Sequence, residues 1–246
     1  MDKSDNNIDQ YRRRFLERST AIAAGGLLAP GVLLHAIANA RPADEAVTGK
    51  VRWGMLIDSN KCKTGCNKCV QACETENGLK RTGRPDIDAQ WIRKVTLKQK
   101  QTGHTTSLPM LCQHCAEPPC VDVCPTGASF KRADGIVLVD KHICIGCRYC
   151  MMACPYKARS FIHEDLSDQK AHAPRGKGTV ESCTFCVHRV DKGESPACVS
   201  ACDEGAMTFG DMNDPASEIS QRLREVQSTE IRGDLGLNLG VRYQGI

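Results

Sequence analysis

Sixteen of the 246 residues are cysteine, and they fall into four groups of four with none left over. The first is Cys62, Cys66, Cys69 and Cys73, spaced C-x3-C-x2-C-x3-C. The second is Cys112, Cys115, Cys120 and Cys124, spaced C-x2-C-x4-C-x3-C and followed by Pro125. The third, Cys144, Cys147, Cys150 and Cys154 with Pro155 after it, is the unaltered run C-x2-C-x2-C-x3-C-P. The fourth is Cys183, Cys186, Cys198 and Cys202, with eleven residues between its second and third members. Thiols in such numbers serve disulfides, structural zinc or iron–sulfur clusters. Zinc predicts separate C-x2-C knuckles, and disulfides predict no such period. Four quartets each ending in x3-C predict four [4Fe–4S] clusters.

The spacing also says how the ligands must be positioned. Three cysteines on a tight loop can wrap one cubane while backbone amides point at its sulfurs. The fourth, three residues on, has entered a helix and reaches a second cluster, so two groups exchange their last cysteines. Such an exchange staples a chain whose apolar fraction is 41% and whose aromatic fraction is 4%, a composition that makes a thin core.

The flanks repeat as well. Met55-Leu56-Ile57-Asp58 precedes Cys62 as Val137-Leu138-Val139-Asp140 precedes Cys144, each a short apolar strand entering a loop. Cys120-Val-Asp-Val-Cys124 with Gly127-Ala128 matches Cys198-Val-Ser-Ala-Cys202 with Gly205-Ala206. Ser129–Arg132 and Ile136–Val139 flank Asp134-Gly135, a hairpin signal. The expected fold is therefore α+β: two pseudo-symmetric lobes of the bacterial 2[4Fe–4S] ferredoxin type, with connecting loops and a C-terminal helix and tail.

A formal charge of +4, with no basic stripe interleaved with aromatics, points away from nucleic acid. That count treats the cysteines as neutral; as thiolates around oxidised clusters they make the loaded chain several charges acidic. At the N-terminus, Arg12-Arg13-Arg14-Phe15-Leu16, the apolar stretch Ala21 to Ile37 and Ala38-Asn39-Ala40 read as a twin-arginine signal peptide over 1–40. Export of a folded chain suits the cysteines, because clusters are then built before the thiols meet an oxidising compartment.

Elsewhere, 77–90 reads as a surface loop and Trp91 to Lys100 as an edge strand. Asp214-Pro215 reads as an N-cap and first helical position, before an apolar face of Ile219, Leu223 and Val226. The tail from Ser228 lacks periodicity and is expected to dock on a partner. His114, His142 and His188 lie beside cysteines, but the quartets are complete without them, so they are expected beside the clusters or in solvent. Lys61, Lys63, Lys68, Arg148 and Arg189 are expected to be solvated charges.

Leu111-Cys-Gln-His-Cys-Ala-Glu-Pro-Pro-Cys120, Cys124-Pro-Thr-Gly and Asp140-Lys-His-Ile-Cys-Ile-Gly-Cys-Arg-Tyr-Cys150 resemble the four-cluster ferredoxin-type subunits of membrane oxidoreductases, the DmsB, PsrB and NrfC group. The resemblance covers about residues 50–213. Within the group, the x3 opening Cys62-Lys-Thr-Gly-Cys66, the chain's own export signal and the lack of a C-terminal membrane helix resemble the DsrO type of sulfur metabolism.

The resemblance implies a non-catalytic, periplasmic carrier of single electrons with neither substrate pocket nor general acid or base. Its partners would be a quinone-interacting membrane subunit of the NrfD type, a c-type cytochrome and other Dsr subunits. It also implies the ligand sets. One cluster takes Cys62, Cys66, Cys69 and Cys202; its neighbour takes Cys183, Cys186, Cys198 and Cys73. A third takes Cys112, Cys115, Cys120 and Cys154, and the fourth Cys144, Cys147, Cys150 and Cys124. Groups one and four have Glu74 and Asp203 where the others have proline. The organisation expected is a signal over 1–40, a ferredoxin-like domain over 41–213 (lobes 112–154, and 50–80 with 180–210), and a docking tail over 214–246.

Overall fold

Short strands and one-turn helices alternate along the computed structural model, which describes residues 45–167 and 169–246. The expected export signal over 1–40 lies outside the described residues. Strand β1 (Trp53–Asp58) is almost wholly buried, as its apolar run requires, and feeds the first cysteine group. Helix α1 (Lys68–Asn77) carries Cys69 and Cys73 and ends on Gly78, whose left-handed backbone closes it.

In the second lobe, α2 (Pro119–Asp122) carries Cys120 of the second group. The hairpin of β4 (Ser129–Lys131) and β5 (Val137–Val139) pairs Ser129 with Val139 and turns at Gly135, φ 87°. Helix α3 (Tyr149–Ala153) then carries Cys150. Strands β6 (Arg159–Phe161) and β7 (Val180–Ser182) pair antiparallel and lead the chain back to the first lobe. There α4 (Val187–Val190), α5 (Ala197–Ser200) and β8 (Met207–Asp211) complete the repeat, β8 lying antiparallel to β1. Helix α1 packs on α5 and α2 packs on α3, so each lobe brings two cysteine-bearing helices together. This is the α+β pair of ferredoxin-like lobes expected from the spacing.

Trp91 to Lys100 forms the expected edge strand, β2 (Ile92–Lys98), whose one partner is β3 (Thr105–Leu111), in register from Ile92 opposite Leu111 to Lys98 opposite Thr105. Pro109 hid β3 in the sequence, since proline is tolerated only on an edge.

Helix α6 (Glu218–Glu225) starts three residues later than Asp214-Pro215 suggested. Ser217 is its N-cap, its Oγ accepting from the Ser220 N–H at 3.2 Å, while Asp214 Oδ1 caps the preceding turn at Ala216. The expected apolar face holds: Ile219 is fully buried, with Leu223 and Val226 half-buried.

The tail is a strand of the core. Strand β9 (Val241–Gln244) pairs parallel with β1, Met55 opposite Val241, and Leu239, Val241 and Tyr243 are fully buried in the chain's own core. The segment expected to dock on a partner is a structural strand, and 214–246 belongs to the same folded unit as the lobes. Among the described residues no helix is long and apolar enough to cross a membrane.

Candidate iron–sulfur centres

All four cysteine loops share one backbone device. The residue just before the second cysteine has a left-handed conformation: Gly65 (φ 81°), His114 (43°), Gly146 (68°) and Phe185 (52°). This turn curls each loop into a cup. In the third loop the position also demands glycine sterically, because a Cβ on Gly146 would clash with the Gly178 carbonyl oxygen.

The cups bring sequence-distant thiols together. Cys112 and Cys115 sit in the electrostatic field of Cys120 and Cys154. Cys183 feels Cys73, Cys198 and Cys186, and Cys69 feels Cys62 and Cys202. Cys150 feels Cys124 and Cys144. Within each lobe the third cysteines of the two groups also interact, Cys69 with Cys198 and Cys120 with Cys150, which sets two sites side by side. Cys66 lies within the field of Lys68 beside the first site, and Cys147 is the one exposed cysteine.

Such gatherings suit a cationic iron core and little else. Burial pushes the Cys112 and Cys115 thiols up to about 12 and Cys69 to about 11, so packed thiolates need a positive partner. The surroundings are arranged for an anionic cluster with sulfur acceptors. The buried Arg159 guanidinium donates from Nη2 to Cys120 Sγ at 3.1 Å, while its Nε and Nη1 have no protein partner. Donors that deep are otherwise satisfied, and inorganic sulfide would satisfy these. Lys94 Nζ donates to Cys62 Sγ at 2.6 Å. The amides of Ser129, Ala158 and Phe185 donate to Cys124, Cys154 and Cys183 at 3.3, 3.5 and 3.4 Å. Asn77 Nδ2 lies 3.7 Å from Cys73 Sγ.

Nothing in the sequence singles out Lys94 or Arg159. Lys94 comes from the β2–β3 hairpin and Arg159 from β6, and no spacing rule ties either to a cysteine. The cations that stand beside cysteines in sequence are mostly engaged with acids instead. Lys63 pairs with Glu204 at 2.7 Å, Lys68 with Asp203, and Arg189 with Glu76 and Glu194. Arg148 lies over the Phe161 ring.

The histidines divide as well. His142 is exposed. His188 shares a hydrogen bond with Glu76 Oε1 at 2.8 Å and stacks on His172. His114 is fully buried, its Nδ1 accepting from the Val137 N–H at 3.0 Å. Burial, with Arg52 and Arg159 nearby, lowers its pKa to about 3, so it stays neutral.

Four cysteine cups, paired within two lobes and lined with sulfur donors, define a multicluster electron carrier of the ferredoxin type. Residues 104–212 match the 4Fe-4S dicluster domain family. The chain is 44% identical over 262 aligned residues to the Hdr-like menaquinol oxidoreductase iron-sulfur subunit 1 of Archaeoglobus fulgidus, covering 94% of this chain and 97% of that one. It is 39% identical over 219 residues to a subunit of the tetrathionate reductase of Salmonella typhimurium, covering 89% and 81%. With NrfC of Escherichia coli it shares 40% identity over 201 residues, covering 76% and 77%.

The chain belongs to the family of four-cluster, ferredoxin-type subunits of membrane oxidoreductases, and carries four [4Fe–4S] clusters. Each cluster, when bound, takes up and gives out one electron at a time. The protein's part is to exclude water, to hold the sites in pairs, and to direct amides, Lys94 and Arg159 at sulfur.

Proposed function

We propose that the sixteen cysteines hold the clusters in exchanged sets and that the chain relays single electrons outside the cytoplasmic membrane in dissimilatory sulfur metabolism, as a DsrO-type subunit. The sets are Cys62, Cys66, Cys69 with Cys202; Cys183, Cys186, Cys198 with Cys73; Cys112, Cys115, Cys120 with Cys154; and Cys144, Cys147, Cys150 with Cys124. One terminal partner is a quinone-interacting membrane subunit of the NrfD type, the other a c-type cytochrome or a further Dsr subunit. The twin-arginine signal read in the sequence supports export, and the relative named for menaquinol oxidation supports the quinone link.

The observation that carries the membrane partner is the surface around Cys147. Exposed Cys147 is flanked in its loop and the following helix by Ile145 (67% exposed), Tyr149 (58%) and Met152 (76%), with Ile143 just before them. Exposed apolar side chains gathered in this way mark a docking site, and here they accompany the cysteine nearest to solvent. Ile145→Glu combined with Met152→Glu is expected to release the protein from the membrane fraction while leaving its iron content unchanged. Retention on the membrane with full iron would remove this face from the docking role.

Lys94 supplies a second test. Its ammonium stabilises the more negative, reduced state of the site holding Cys62. Lys94→Met is therefore expected to lower that site's reduction potential by tens of millivolts in an EPR-monitored redox titration. An unshifted potential would mean that solvent already screens the charge.

The 39% identity to a tetrathionate reductase subunit favours a second reading, service to a different periplasmic reductase. Co-purification decides: a large catalytic subunit supports that reading, and an NrfD-type subunit with a cytochrome supports the first.

A further inference from the structure

We propose that the stacked rings of His114 and Phe185 form the electron-transfer contact between the two lobes. The two residues occupy the same position in equivalent loops. His114 stands between Cys112 and Cys115, Phe185 between Cys183 and Cys186, and each precedes the second cysteine of its group. Their rings meet face to face, centroids 3.7 Å apart and planes 26° apart, and both are buried. The contact therefore joins the backbone cup of the second cysteine group directly to that of the fourth. These are the inner loops, their first two cysteines buried, whereas those of the first and third groups, the outer loops, are partly or fully exposed. The assignment rests on the ligand sets given above.

Backbone strain supports a dedicated role. The two outer loops place glycine at this position, Gly65 and Gly146, where positive φ is free of steric cost. The two inner loops hold an imidazole and a phenyl group at φ 43° and 52°. A left-handed bulky residue costs on the order of 1–3 kcal/mol and persists only where its surroundings over-determine it. Glycine would make the same turn without that cost, and what it cannot supply is the ring.

Hydrogen bonding explains only part of His114. Its Nδ1 accepts from Val137, but Nε2 is buried with no partner. Phe185 is further held edge-on by Phe209 at 5.3 Å, which stacks on Trp53, so the ring has little room to turn away.

In the transfer, one inner site loses one electron as the other gains it. Neither ring is oxidised or reduced, no bond is made or broken, and no proton moves. The rings shorten the gap through which the electron passes.

Three variants of the full holoprotein separate this role from packing. His114→Gln keeps an acceptor for the Val137 amide and removes the ring. His114→Phe keeps a ring and removes the acceptor. Phe185→Leu removes the opposite ring and touches no hydrogen bond of His114. After flash photoreduction, intramolecular transfer is expected to fall by an order of magnitude or more in His114→Gln and Phe185→Leu, and to stay within a few-fold of wild type in His114→Phe. Cluster potentials and the EPR spin-coupling pattern, which report potential and spacing, are expected to remain unchanged in all three.

Wild-type rates in both ring-deleted proteins would overturn the proposal, as would a His114→Phe as slow as His114→Gln. Should His114→Gln lose iron, the rate in Phe185→Leu decides the question in its place. Alkylation mapping of a Cys73→Ala variant, in which exchange exposes Cys183, Cys186 and Cys198, tests the ligand sets independently, so their failure is distinguishable from failure of the bridge.

Discussion

Cys73→Ala is expected to empty a cluster whose other ligands lie far along the chain while leaving the neighbouring cluster in its own loop intact. Iron would fall from about sixteen to about twelve per chain if one cubane is lost. The informative reading is which thiols become reactive. Exchange of fourth ligands predicts that Cys183, Cys186 and Cys198 are alkylated in the variant, with Cys62, Cys66 and Cys69 protected. The converse pattern would mean that each group holds its own cluster and would sink the exchanged sets.

The structure favours exchange because the buried Cys183 thiol feels Cys73 among its nearest charges, whereas Cys69 on the same helix as Cys73 feels Cys62 and Cys202. A large loss of stability should accompany the loss of iron. The neighbouring cluster on Cys69 and Cys202 still joins the same two segments, so losing the Cys73 cluster opens only the ring through residues 69–73 and 183–202. By the chain-entropy argument developed for disulfides, a ring of about 20 residues is worth on the order of 3 kcal/mol. That is a large share of the roughly 5–15 kcal/mol by which domains are typically stable. Cys202→Ala is the matching control, expected to expose Cys62, Cys66 and Cys69 instead.

Removal of residues 238–246 is the second change expected to be severe, and it follows from the tail being a core strand. The deletion takes out Leu239, Val241 and Tyr243, all fully buried, and with them the Met55 N–H bond to the Gly240 carbonyl at 2.8 Å. It also removes a clamp on the second lobe, where Gly240 donates to the Gln113 carbonyl and Ala116 donates to the Asn238 carbonyl, both at 2.9 Å. One segment thus pairs with β1 of the first lobe through β9 and, through Asn238 and Gly240 just before it, fastens the Cys112–Cys115 loop of the second.

Truncated protein is expected to be insoluble, or to bleach its clusters on purification. Tyr243→Ala in the full chain is the milder form. It deletes a buried aromatic ring and the hydroxyl that accepts from Gln113 and donates to the Pro109 carbonyl, for a loss of about 3–5 kcal/mol seen as a lower melting temperature. A truncated chain that kept its iron and its melting temperature yet failed to assemble would restore the partner-docking role.

What the sequence by itself determined is what local chemistry encodes. The cysteine spacings prescribe cubane-wrapping loops, and Met55–Asp58 and the Asp134-Gly135 hairpin form where their apolar runs and turn residues say they must. The start of α6 shows the limit even there: Asp214-Pro215 and Ser217 are both good starting signals, and the turn consumed the first while the helix took the second.

The tertiary structure alone decided everything that depends on a contact between segments distant in sequence. Lys94 reaches Cys62 only because a hairpin folds back towards the first loop, and Arg159 reaches Cys120 only because β6 returns to the second. The tail's strand does alternate, Val241 and Tyr243 buried and Arg242 and Gln244 half-buried, but four residues are too short a run to stand out from irregular flanks. His114 and Phe185 each look like an ordinary loop residue beside a cysteine until two cups are set ring to ring. Spacing along a chain can specify what one loop binds; which loops face each other is settled by the packing of the whole.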